Sequence, residues 1–344
     1  MTIPAVVTHD KVITLQLLEK LFLPQKLEGI RVRLWDGSLW PGDGEANVTL
    51  ELNYPGALRA MLLPGTELGM AEAYLHNDID IEGSIEVIFD LADNLPNAFG
   101  SLRKKIKLLS LLKQLPAVPP RLVILRGPVK LKGKQHSIER DRQAVTYHYD
   151  VSNDFYALLF DPNMVYSCGY FLNADDTIER AQVEKLNYIC KKLRLRPGHR
   201  LLDIGCGWGG LVICAAQNYG VDATGITLSQ PQADYVNRRI AELGLSDRCR
   251  VLVQDYRQVS EAEPYDGLVS VGMFEHVGKA LLKHYFEKAY RLLKPYGMFL
   301  NHWISTTRTN NQAGANSFSD RYVFPDGELV PILETINSAE TAGF

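Results

Sequence analysis

The sequence predicts an α/β protein: a doubly wound sheet from about residue 143 to 344, preceded by a small α/β N-terminal domain over residues 1–100. Three observations carry this. Short apolar strands alternate with helical stretches through the second half of the chain. One of those strands, "HRLLDIG", runs directly into the glycine-rich turn "CGWGG" and then a helix. The first hundred residues follow a different pattern, with an alternating run that reverses at Asp36-Gly37. A chain of 344 residues has room for both domains.

In the first module "VITLQLLEKLF" has helical apolar spacing. Ile30, Val32 and Leu34 alternate against Arg31 and Arg33 ahead of the Asp36-Gly37 turn, which reads as a hairpin. "VTLELNY" alternates again, and "PGALRAMLL" and "ELGMAEAYLHN" read as short helices. Nothing in this module clusters catalytic groups. The Pro-rich "LPAVPP" at 115–120 breaks regular structure, so a linker is expected over 101–142. In the second domain "HRLLDIG", "DATGITLS", "CRVLVQDY", "YDGLVSVGMF" and "MFLNHWIS" are the five strands. Helices fall at about 209–219 and 230–243, and "KALLKHYFEKAYRLLKPYG" is a long amphipathic helix expected to end at Pro295 and Gly297.

Composition excludes several function classes. The five cysteines are scattered, with no CxxC pair or Cys/His cluster, so no metal is expected and a reducing compartment is. The N-terminus lacks a basic region followed by an apolar core, and no apolar run reaches the roughly 18 residues of a spanning helix. The expectation is a cytoplasmic protein that lies at most on the inner membrane surface. Residues 101–142 hold twelve Lys/Arg against Glu139 and Asp141, within a chain of net charge −3. The plain reading of such a run is a solvated linker. Here "KKIKLLSLLKQL" forms a helix with a cationic and an apolar face, which suits an anionic membrane. Nucleic acid is the competing partner, and it is disfavoured because aliphatic residues stand where stacking aromatics would be needed.

The glycine turn is the first candidate site. Gly205, Gly207 and Gly209 let the backbone turn tightly against a ligand at the strand's carboxyl edge. Nicotinamide and flavin enzymes use similar turns, and with Gly210 present the spacing alone does not choose between them. Asp203 within the first strand, and the lack of an acid in "ITLSQPQ" to hold a ribose, favour S-adenosylmethionine.

"HYDVSNDFYALLFDPNMVYSCGYF", "LLDIGCGWGGL", "GITLSQPQ", "VQDYR" and "GMFEHVG" occur in this order and spacing. Together they resemble the cyclopropane-fatty-acyl-phospholipid synthase family, including the mycolic acid cyclopropane synthases. The resemblance covers nearly all of 143–344, and "GMAEAYLHNDIDIEG" is similar to the longer bacterial branch that acts on phospholipids. It implies a Rossmann-like S-adenosylmethionine-dependent methyltransferase domain. It also implies cofactor contacts at Tyr166, Ser167, Asp203, Gly205, Gly207, Thr227, Leu228 and Gln232, and adenine-side contacts at Asp255 and Tyr256. The implied reaction places a methylene from S-adenosylmethionine across the cis double bond of an unsaturated phospholipid acyl chain. A carbocation forms, and a bound bicarbonate removes the proton as the ring closes. The positions implied to hold that bicarbonate are Cys168, Glu275, His302 and the backbone of Ile304.

Such a site must exclude water and offer π faces to positive charge. Tyr166, Tyr170 and Phe171 are candidates for those faces, with Phe274 a further one. "HYD" at 148–150 is expected to pack over the cofactor. Without the resemblance, Cys168 and His302 would read as ordinary packing residues. The sheet of this fold has seven strands, and five are counted here. The last edge hairpin and the bicarbonate-binding tyrosine are therefore expected to be missing; Tyr322 comes too early to replace the latter. An exposed apolar sheet edge follows from that expectation. Three other functions compete: a methyltransferase giving methylene- or methyl-branched chains, a small-amine N-methyltransferase, and a non-enzymatic lipid-surface protein. A homodimer is among the assemblies the sequence allows.

Overall fold

A computed structural model describes residues 8–22, 29–42, 46–89, 101–117, 127–307 and 317–344, which divide into two compact units at Gly127/Pro128.

The N-terminal unit packs helices on one face of a four-stranded sheet. Helix α1 (His9–Phe22) buries Ile13, Leu17, Leu18 and Leu21, the stripe its spacing predicts. Strands β1 (Ile30–Arg33) and β2 (Leu39–Trp40) form the expected hairpin, with Gly37 at φ +81° and the Ser38 amide donating to Asp36 Oδ1. β1 pairs in parallel with β3 (Val48–Leu52), and β3 pairs antiparallel with β4 (Ile79–Gly83), giving the order β2-β1-β3-β4. Helices α2 (Ala57–Leu62) and α3 (Glu67–Leu75) connect the last two strands, α3 being capped by the Thr66 side chain.

The region expected as a linker is divided between the units. Helix α4 (Leu102–Gln114) puts Leu108, Leu111 and Leu112 into the N-terminal core, and Arg59 donates to the Leu115 carbonyl at 2.7 Å just past its end. Its basic residues Arg103, Lys104, Lys105 and Lys107 stay on the exposed side, beside the exposed Leu102 and Ile106. Residues 128–142 belong to the second unit, where Val129 N donates to the Arg321 carbonyl and Lys132 N to Gln143 Oε1. The physical reason is burial: a leucine stripe at helical spacing gains more from a core than its flanking charges lose at the surface. Residues 118–120 of the Pro-rich break lie outside the described residues.

The second unit is the expected doubly wound domain. Strands β5 (Arg200–Ile204), β6 (Asp222–Thr227), β7 (Cys249–Val253), β8 (Tyr265–Val271) and β9 (Leu293–His302) form one all-parallel sheet in the order β7-β6-β5-β8-β9. The order reverses between β5 and β8, which is where such sheets open a crevice at their carboxyl ends. Helices α5 (Ile138–Tyr149), α6 (Asn153–Ala157) and α7 (Ile178–Lys192) precede the sheet. Helices α8 (Gly210–Tyr219), α9 (Gln230–Glu242) and α10 (Leu282–Leu292) alternate with its strands.

One element is shorter than expected: α10 ends at Leu292, and β9 already begins at Leu293. Pro295 disfavours helical backbone at Lys294, and Lys294 Nζ pairs instead with Asp266 at 2.8 Å. After β9 come the two-residue parallel pair β10 (Ser305–Thr306) and β11 (Val330–Pro331), then α11 (Ile332–Ala342), which packs on α10. Among the described residues β9 pairs with β8 alone, so it is the edge of the sheet; the Phe344 ring rests on Phe299 and Phe286. The segment after 317 is clasped to α5. Arg140 Nη2 donates to Asp326 Oδ1 at 2.8 Å, His148 Nδ1 donates to the Val323 carbonyl at 2.8 Å, and Phe324 lies 4.1 Å from the His148 ring.

Candidate functional site

The carboxyl ends of β5, β6, β7 and β8 open on a solvent-connected cleft with a cavity of about 150 Å³. β5 delivers Asp203, a buried carboxyl whose pKa is pushed up to about 7 by loss of solvent. The chain then turns through Gly205, Gly207 and Gly209, with φ of +84°, +53° and +78°. A Cβ at Gly205 would lie 2.7 Å from Met273, and one at Gly209 would overlap Val236, so both let neighbouring elements close up. A Cβ at Gly207 would meet nothing within 4 Å; there the backbone itself faces the cleft, as close approach to a ligand requires.

β6 ends at Thr227-Leu228, and Ser229 caps α9 by accepting from the Gln232 amide. Thr227 Oγ1 donates to Gln232 Oε1 at 2.7 Å, which fixes the buried amide group. Beyond β7, Asp255 binds Arg257 through both oxygens, at 2.7 and 2.6 Å. The same guanidinium reaches Asp141 at 2.8 Å and the His136 carbonyl at 2.9 Å, which ties this wall to α5. The fourth wall is the stretch Met164–Ser167, held from α7 by Gln182 Nε2 on the Ser167 carbonyl and Lys185 Nζ on Ser167 Oγ. All ten residues expected to contact the cofactor (Tyr166, Ser167, Asp203, Gly205, Gly207, Thr227, Leu228, Gln232, Asp255 and Tyr256) line this one cleft.

The second expected group is placed differently. Glu275 and Ile304 meet: the Ile304 amide donates to Glu275 Oε1 at 2.6 Å. That amide was expected to hold an anion directly, and the carboxylate engages it instead. Glu275 Oε2 is buried and has no hydrogen-bond partner among the described residues. His302 is exposed at the end of β9, where its carbonyl accepts from Gly272, a cleft-lining residue. Cys168 is exposed, one residue past the cleft-lining Ser167. Cys168, Glu275, His302 and Ile304 are not among the residues lining the cleft itself.

Of the expected aromatic faces, Tyr166 alone lines the cleft. Phe274 is buried in a cluster with Tyr285, Phe286 and Trp303 because it follows β8 into the core. Tyr170 stacks on Tyr188 at 5.0 Å, and Phe171 is half exposed. Tyr322 stacks on Phe318. Beside Tyr166, the aromatic residues lining the cleft are Tyr149, Trp208, Tyr256 and His276, of which Trp208 is almost wholly buried. Tyr149 lies 6.1 Å edge-on to both Tyr166 and Trp208, and Tyr156 and Phe160 pack behind Trp208. "HYD" thus contributes Tyr149 to the wall, while Asp150 accepts from Ser229 Oγ at 2.6 Å.

Sequence reasoning missed Lys185, Trp208 and His276 as cleft-lining residues. Trp208 lies inside the glycine motif and was within reach. Lys185 interrupts the buried stripe of α7 at Ala181, Leu186 and Ile189, a legible anomaly. His276, pushed down to about 4 by burial with His148 nearby, carried no separate signal.

Comparisons with known proteins agree with this fold. The family described as mycolic acid cyclopropane synthetase matches residues 136–344, and a domain family of unknown function matches 17–104. A probable fatty acid methyltransferase of Pseudomonas putida is 35% identical over 325 residues, 94% of this chain and 75% of that protein. The cyclopropane-fatty-acyl-phospholipid synthase of Escherichia coli K12 is 42% identical over 193 residues, 56% of this chain and 48% of its own length. The crystal structure of the mycolic acid cyclopropane synthase CmaA1, complexed with SAH and CTAB, is 35% identical with a TM-score of 0.55. That likeness covers 59% of this chain and 74% of CmaA1.

Proposed function

The chain belongs to the mycolic acid cyclopropane synthetase family of S-adenosylmethionine-dependent methyltransferases, and on that premise we propose that it converts the cis double bond of an unsaturated phospholipid acyl chain into a cyclopropane. The observation that carries the reading is the convergence of ten separately expected positions on one cleft at the sheet's switch point. Gly207 leaves room for close backbone approach. With its carbonyl end held by Thr227, Gln232 offers its Nε2 to a ribose hydroxyl.

S-adenosylmethionine supplies an electrophilic methyl to an alkene carbon, leaving a cation on its neighbour. The faces of Tyr149 and Tyr166 would stabilise positive charge, and the packed rings of Trp208, Tyr156 and Phe160 behind them would exclude the water that would trap it. A bicarbonate beside Glu275 would supply the base that takes a proton from the new methyl. The buried, unpartnered Glu275 Oε2 suits the role of accepting that ion's hydroxyl proton, while Cys168 and His302 would complete its holder. The exposed basic face of α4, with Leu102 and Ile106, would bring the protein onto anionic lipid.

A second reading ends in a methyl- or methylene-branched chain. It is favoured by the name of the Pseudomonas relative, which aligns along 94% of this chain. Expression in cells lacking such lipids, followed by mass spectrometry before and after catalytic hydrogenation, separates the products. A ring resists mild hydrogenation, an exocyclic alkene gains two hydrogens, and a saturated methyl branch differs in mass from both. Lipids unchanged in cells making folded protein would refute both readings.

A further inference from the structure

Lys185 is a charge without a stated purpose. Its side chain is nine-tenths buried on α7, yet it lines the cleft. Its hydrogen bonds go to one neutral residue, 2.6 Å to Ser167 Oγ and 3.4 Å to the Ser167 carbonyl. Among the described residues no carboxylate lies within ion-pair distance of it. Asp161 and Cys168 are near enough to act on its charge, but the Asp161 oxygens already accept the Asn163 and Val165 amides. Burial draws the ammonium pKa down to about 8, the mark of a cation short of a counter-ion. A lysine is rarely buried this way unless something pairs with it.

The bond to Ser167 has a directional consequence. A hydroxyl has one proton and two acceptor sites. The Lys185 ammonium can only donate, so it occupies an acceptor site and leaves the Ser167 proton to point elsewhere. Position in the cleft says toward what. The walls run from Asp255 and Tyr256 after β7, through Thr227 and Gln232 after β6, to the glycine turn after β5. Leu195, just past α7, lies against β8, 3.4 Å from where a Cβ at Gly267 would stand, on the side of β5 away from β6 and β7, so α7 with Lys185 and Ser167 lies toward the end opposite the adenine-side residues. A nucleoside laid along the strand ends brings its amino-acid tail here. Asp203, at the same end, suits the tail's ammonium.

We propose that Lys185 is a positioning residue for the α-carboxylate of S-adenosylmethionine: bonded to Ser167, it aims the serine hydroxyl at that carboxylate and supplies the positive charge that balances it. The inference rests on the cofactor reading given under Proposed function.

Calorimetric titration of the whole chain with two ligands tests it. S-adenosylhomocysteine carries the amino-acid tail, whereas 5′-methylthioadenosine has the same nucleoside and thioether without it. Lys185→Met should weaken S-adenosylhomocysteine binding at least tenfold and leave methylthioadenosine within twofold. Lys185→Arg, which keeps the charge and a donor, should recover most of the loss and also covers the case in which the methionine variant fails to fold. Equal weakening of both ligands, or of neither, overturns the inference while leaving the cofactor reading intact. A wild-type chain that binds neither ligand overturns the cofactor reading, and this inference falls with it.

Discussion

The backbone amide of Ile304 donates to Glu275 Oε1 at 2.6 Å, which joins the turn after β8 to the chain leaving β9. One carboxylate oxygen is therefore structural, and the buried Oε2 is the one available for chemistry. Glu275→Gln keeps an acceptor for Ile304 when its amide is turned oxygen-first, and it removes the charge. We expect turnover to fall by about 10²–10⁴, with the affinity for S-adenosylhomocysteine unchanged within twofold. An unaltered turnover would remove Glu275 from the proton-transfer step.

The glycine turn separates two kinds of requirement. Gly209→Ala adds positive-φ strain to an overlap with Val236, and the thermal midpoint of unfolding should drop markedly. Gly207→Ala meets no protein atom, so only the strain of roughly 1–2 kcal/mol applies, yet its methyl enters the cleft. That variant should stay folded and lose at least tenfold in nucleoside affinity by calorimetry. Equal melting losses for the two substitutions would contradict the assignment.

His136 sits 3.7 Å from Asp141 and 3.6 Å from Glu328, with Arg257 bonded to its carbonyl and His276 near enough to oppose its charge. The carboxylates of Asp141 and then Glu328, paired with the ring at these distances, raise its pKa from 6.5 to about 9. The folded state therefore holds a proton that the unfolded chain releases between those values. Stability from this source is complete below pH 6.5 and lost as pH rises through 9, by on the order of 2 kcal/mol. Urea denaturation across pH 6–9.5 should show that decline in the wild type and a flatter profile in His136→Asn. Matching slopes would show that the imidazole does not titrate in this window.

Charge reversal of Lys104, Lys105 and Lys107 on α4 leaves the buried Leu108, Leu111 and Leu112 untouched. Each lysine near an anionic surface is worth about 1 kcal/mol, so the triple variant should leave the pellet when sedimented with anionic vesicles. The wild type should sediment with those vesicles and not with neutral ones. Equal behaviour of the two proteins would remove α4 from membrane contact.

Strand positions and cleft-lining residues were legible because they depend on short-range pattern: β5 running into three glycines, and Thr227 with Gln232 at the start of α9. What could not be read depends on pairing across long separations. Arg257 completes Asp255 through Asp141, 116 residues earlier, and nothing local announces it. For α4 the helix and its two faces were legible, but not where the apolar face goes: Leu108, Leu111, Leu112 and Leu115 at helical spacing suit a core and a membrane alike, and only tertiary packing places them in the N-terminal core. Phe274 follows a strand buried along nearly its whole length, so no alternation in the sequence told which way its ring would turn.

The clasp between Arg140 and Asp326 spans 186 residues of chain. α5, which lends Asp141, Val145 and Tyr149 to the cleft, is pinned by groups made almost a whole domain later. On the ribosome the sheet and its glycine turn emerge well before that fastening does. A nascent chain thus has the glycine turn, and the Arg257 tie to α5, before the last fastening of that helix, at Asp326, can be made.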